Sequence, residues 1–130
     1  MLNGHDIIEF PNHTKSEDFC QFLTSVRNNN PINRICLVLD NFQTHKAKLV
    51  REKANELNIE LIYLPPYSPD LNPIEYLWKS IKRLISISRI ECKQELIEIV
   101  QQSFFDLTSN LSTARMWIPR FLYDKLDMLC

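Results

Sequence analysis

Two short runs, Ile35-Cys36-Leu37-Val38-Leu39 and Ile59-Glu60-Leu61-Ile62-Tyr63-Leu64, stand one helix-length apart, and that spacing constrains the fold most. The first is unbroken, as expected of a strand covered on both faces. Between them Ala47, Val50, Ala54 and Leu57 fall on one side of a helix beginning at about Lys46. Strands joined through a helix do not make a hairpin, and the pattern reads as an α/β architecture with some parallel sheet. Functional groups in such sheets gather at the carboxyl ends of strands. Asp40 occupies that place after the first run.

The rest of the chain extends the pattern. His5 to Phe10 predicts a short strand ended by Pro11-Asn12. Thr14 or Ser16 can cap a helix in which Phe19, Phe22, Leu23 and Val26 recur at helical spacing, and Asn28-Asn29-Asn30-Pro31 stops it. After Leu64 a loop stiffened by Pro65, Pro66 and Pro69 leads to Asn72-Pro73-Ile74-Glu75. Asn at an N-cap followed by Pro is a helix start, and Ile74, Leu77, Trp78, Ile81 and Leu84 supply that helix's packing face, with Trp78 read as core. Another helix is expected from Lys93 to Leu107 through Leu96, Val100 and Phe104. The tail from Thr113 is amphipathic and interrupted by Pro119. The order reads β-α-β-α-β-α-α, a single domain over 1–130 with a core to about 88 and carboxyl-terminal helices from about 89.

Composition removes several functions. A net charge of −1 with 24 % charged residues gives none of the basic bias that betrays nucleic-acid binding, so any DNA affinity must be local. The chain has 1 glycine, against an average near 7 %, and therefore neither a Walker-type nor a dinucleotide phosphate loop. Cys20, Cys36, Cys92 and Cys130 are widely spaced and far from the histidines, which argues against zinc. Cys36 reads as a small core residue, and a reducing cytosol is the simplest compartment. No run approaches the eighteen apolar residues of a membrane span.

Thirty-four residues separate Asp40 from Glu75. Either alone has an ordinary explanation: Asp leaves strands by bonding nearby backbone amides, and Glu three residues after an Asn cap resembles a capping box. Their surroundings add more. Leu39-Asp40-Asn41-Phe42-Gln43-Thr44-His45 and the stretch from Leu64 through Ser68-Pro69-Asp70-Leu71-Asn72-Pro73-Ile74-Glu75 to Lys82 resemble the catalytic core of mariner-type transposases and related bacterial insertion-sequence transposases. The resemblance implies an RNase H-like fold and DNA cleavage and strand transfer. It also implies that Asp40 and Glu75 belong to a set of three carboxylates holding Mg²⁺ (or Mn²⁺). Two such ions, roughly 3.5–4 Å apart, activate the attacking water or 3′-hydroxyl and stabilise the leaving oxyanion. Mg²⁺ takes oxygen ligands and keeps several waters, so a few carboxylates suffice.

The resemblance is incomplete. The family's first Asp lies on an upstream strand, and Asp6, Glu9, Glu17 and Asp18 are the acidic residues before Asp40. None is in an apolar strand with the expected hairpin. The chain therefore reads as a truncated RNase H-like domain lacking the first strands of its sheet, inactive alone, and prone to self-association through unpaired edges or dependent on an upstream transposase portion. Asn41 and His45 are candidates for a phosphate contact or for supporting a metal ligand. Tyr67 and Asn72 are candidate loop contacts to DNA. Lys79, Lys82 and Arg83, on the sector of Glu75, form either a solvated face or a phosphate-binding strip. The alternatives are a working nuclease, completed by a residue such as Asp70, and a non-catalytic remnant that binds DNA or an intact transposase.

Overall fold

The computed structural model describes residues 5–68, 71–72 and 74–109. Its elements run α1 (Ser16–Asn29), β1 (Ile35–Leu39), α2 (Gln43–Lys46), α3 (Lys48–Glu56), β2 (Ile59–Tyr63), α4 (Ile74–Ile87) and α5 (Lys93–Ser109). The sequence expectations on Met1–Gly4, Pro69, Asp70, Pro73 and the tail from Thr113 lie outside the described residues. The chain divides into two compact units, Asn3–Asn72 and a second formed mainly by Pro73–Cys130.

In the first unit β1 and β2 pair in parallel, Ile35 opposite Ile59 through to Leu39 opposite Tyr63. Leu64 N–H adds one more bond to Leu39 C=O at 2.8 Å. Alternation along both strands decides what is buried. Ile35, Leu37, Ile59 and Leu61 face Leu23 and Val26 of α1 and Val50 and Ala54 of α3, with Leu23 and Val50 wholly excluded from solvent. The opposite positions, Cys36, Val38, Glu60 and Ile62, are exposed. The unbroken apolar run thus resolves into a period of two. Cys36 is a surface thiol and not a core residue. Cys20 is the half-buried thiol, and burial pushes its pKa up.

Other differences from expectation have local causes. Residues 5–10 form no strand. The buried Asn30 side chain ties the start of this segment to α1: Oδ1 accepts the His5 N–H at 2.8 Å, and Nδ2 donates to Val26 C=O at 3.0 Å. Neither Thr14 nor Ser16 caps α1; Lys15 is the N-cap, and its N–H donates to the Asp18 carboxylate at 3.0 Å. The helix expected from about Lys46 begins at Lys48 as α3, and the unexpected short α2 precedes it, set off by Ala47 at φ −55°, ψ 144°.

The ends of the strands where the chain enters them are tied by Arg27. Its guanidinium donates to four carbonyls: Leu57 at 2.8 Å, Asn58 at 2.8 Å, Asn33 at 2.9 Å and Asn30 at 3.1 Å. Asn58, which turns α3 into β2, has φ 52°, a left-handed conformation that Asn tolerates better than most residues.

In the second unit α4 packs on α5, burying Leu77 and Ile81 on one side and Val100, Ser103 and Phe104 on the other. Trp78 is only half-buried, and Ile74 and Leu84 are exposed, so the packing stripe of α4 is narrower than its apolar periodicity suggested. Among the described residues no helix is long and apolar enough to cross a membrane.

Candidate functional site

Asp40 is the first residue past β1, at the carboxyl edge of the two-stranded sheet. Its Oδ1 accepts two hydrogen bonds, from the Phe42 N–H at 3.2 Å and from His45 Nδ1 at 2.8 Å. The first is the Asx turn expected of Asp at a strand exit. The second is an addition that the sequence did not reveal. Oδ2 takes part in neither bond, and the side chain is 59 % exposed. A carboxylate held through one oxygen while the other meets solvent has the donor chemistry a hard cation uses.

His45 is far less free than a surface histidine at a helix start. Its side chain is 22 % exposed. The Phe19 ring of α1 lies 4.4 Å from it between centroids, tilted by 37°, and Phe42 meets it edge-on at 5.7 Å. Its backbone is anchored too. The Tyr63 hydroxyl at the end of β2 donates to His45 C=O at 2.7 Å, and the neighbouring Thr44 hydroxyl donates to Thr14 C=O at 3.3 Å. Because a carboxylate oxygen only accepts, Nδ1 must carry the proton in this pair. Phe19 and Tyr63 had read simply as core and strand residues, and no spacing in the sequence connects them to His45.

Asn41 is half-buried, and its Oδ1 is shielded from solvent without a hydrogen-bond partner among the described residues. An orphaned amide oxygen is costly to bury. Its place beside Asp40 puts a second oxygen donor at the same strand exit. Oxygen donors of this kind fit Mg²⁺ and suit softer metals poorly. Among the described residues no three His, Cys, Asp or Glu side chains cluster as a complete metal site.

The remaining candidates follow the division of the chain. Tyr67 belongs to the first unit and is fully exposed, with φ 58°, a strained backbone for a bulky residue. Asn72 ends that unit. Glu75 lies in the first turn of α4, exposed, where a carboxylate complements the positive end of the helix. Lys79, Lys82 and Arg83 follow on α4, all exposed, and none is paired with a carboxylate among the described residues. The structure therefore joins Asp40 to His45 and gathers Glu75 with the three cations on one helix. Asp6 and Glu9 lie on no strand, while Glu17 and Asp18 sit in the first turn of α1.

Known proteins bear on this arrangement. The transposable element Tcb2 transposase of Caenorhabditis briggsae is 41 % identical over 44 residues, which are 34 % of this chain and 16 % of that protein. The histone-lysine N-methyltransferase SETMAR of Homo sapiens is 34 % identical over 67 residues, 51 % of this chain and 10 % of that protein. The chain thus spans under a fifth of these curated relatives, too little to carry their named activities across. The crystal structure of the catalytic domain of Mos1 mariner transposase superposes with a TM-score of 0.62 at 24 % identity, over 72 % of this chain and 52 % of that one. This likeness makes the fold RNase H-like. The model of the DDE superfamily endonuclease family matches residues 3–97, a span that contains both Asp40 and Glu75. The chain belongs to the DDE superfamily endonucleases.

Proposed function

We propose that this chain is part of a DNA transposase catalytic domain whose cation-dependent chemistry passes through Asp40 and Glu75. The observation that carries the reading is the Asp40 carboxylate: at a strand's carboxyl end, inside the family match, with one oxygen occupied by protein donors and the other left out of those bonds. Divalent ions, when bound, activate the attacking water or 3′-hydroxyl and stabilise the departing oxyanion. On this reading Asp40 and Glu75 supply anionic oxygens to Mg²⁺ or Mn²⁺, and Asn41 offers a neutral one. Lys79, Lys82 and Arg83 hold the DNA backbone electrostatically, and Tyr67 offers an aromatic face to a base.

The intact reaction needs a third carboxylate. The positions of Asp6, Glu9, Glu17 and Asp18, none of them on a strand, support its coming from another polypeptide segment. The chain alone then binds DNA without cutting it. The test is Mg²⁺-dependent nicking of supercoiled plasmid. The expected result is none from the chain alone, and cleavage when it is combined with a segment bearing a strand and an Asp. That cleavage disappears in Asp40→Ala and in Glu75→Ala. Nicking by the chain alone that survives Asp40→Ala would overturn the assignment. A second reading is a non-catalytic DNA-binding or transposase-binding remnant. DNA binding with no cleavage under any combination would select it.

A further inference from the structure

We infer that His45 is the positioning residue of the Asp40 carboxylate. Its Nδ1–H, together with the Phe42 N–H, holds Oδ1 and so fixes Oδ2 as the oxygen presented to a divalent cation. The inference rests on the reading of Asp40 as a cation ligand.

The Nδ1 edge of the ring is committed to Asp40, and the side chain is only 22 % exposed. Here the ring is pressed against Phe19 from α1 and met edge-on by Phe42. The peptide behind it is tied to β2 by Tyr63. Phe19 and Phe42 thus hold the ring, Tyr63 holds the peptide behind it, and the ring nitrogen bonds the carboxylate at 2.8 Å. A short-armed Asp at a strand exit would otherwise rotate about its side-chain bonds and exchange its two oxygens. Two donors on the same oxygen remove that freedom. Partners that orient a cation's ligand typically matter about 10- to 100-fold in metal affinity.

Two measurements on the full chain test this. The first reads the imidazole nitrogens by ¹⁵N NMR at pH 8, without any metal. We expect a protonated Nδ1, and a bare Nδ1 overturns the inference. The second follows Mn²⁺ binding through paramagnetic broadening near residue 40. Asp40→Ala is expected to abolish it. His45→Ala should weaken it about tenfold or more, and His45→Asn, whose amide N–H can still reach Oδ1, should recover most of the loss at an unchanged melting temperature. If Asp40→Ala leaves Mn²⁺ binding intact, the ligand reading fails and this inference goes with it. If Asp40→Ala abolishes binding while His45→Ala binds as tightly as the original chain, only the role of His45 is overturned. Should His45→Ala not fold, the nitrogen measurement decides.

Discussion

Arg27 shows how much one side chain can organise. A planar guanidinium can point several N–H groups at once in fixed directions, and here they reach carbonyls in the turn after α1 and in the turn before β2. We expect Arg27→Lys, which keeps the charge and loses the fork, to destabilise the first unit by about 2–3 kcal/mol in urea denaturation, given typical net values per bond. Nothing in the sequence marks Arg27, because its four partners are backbone atoms and any residue could carry them. Asn58 is more legible, as Asn commonly takes positive φ. Asn58→Gly should be close to neutral, whereas Asn58→Val should cost at least about 1 kcal/mol in the same measurement. Asp40 was legible from its place after a strand. Its bond to His45 was not: a spacing of five matches no periodicity, and Phe19, one of the two aromatic residues against the imidazole, lies on another helix.

At the scale of elements, both strands were legible because each is a short run rich in Ile, Leu and Val, too short for a helix and flanked by turn residues. The break between α2 and α3 was not, since Ala47 is a strong helix former. Its cause is tertiary. In a continuous helix the His45 carbonyl would face the Leu49 N–H; here it accepts the Tyr63 hydroxyl. Tyr63→Phe should therefore cost about 1 kcal/mol and speed amide exchange across residues 44–49, read by NMR. The expected strand at residues 5–10 did not form, and its first residue, His5, is bonded to the Asn30 side chain instead. Helices α1, α3, α4 and α5 were legible from their stripes, although the stripe of α4 overstated its burial. Leu23→Ala, at a position with no solvent access, should lose about 2–5 kcal/mol on thermal or urea unfolding.

For the whole molecule the sheet edge matters most. Among the described residues β1 pairs with β2 alone, and its exposed Val38, like Ile62 opposite, gives the strand no charged guard of the kind that discourages edge pairing. We expect concentration-dependent association in sedimentation velocity, reduced by Val38→Lys. DNA affinity should fall steeply with salt, and replacing Lys79, Lys82 and Arg83 together by Ala should lower the slope of log affinity against log salt by up to about 3. The two ends of the sheet have different tasks. Arg27 grips the first unit where the parallel strands begin, while Asp40 and Tyr63 lie where they finish, about 13 Å away at the usual rise per residue. On the proposed function, stiffness and reactivity are thus assigned to opposite poles of a very small scaffold. Evolution, or a protein engineer, can harden this unit against heat at one pole without retuning the carboxylate at the other.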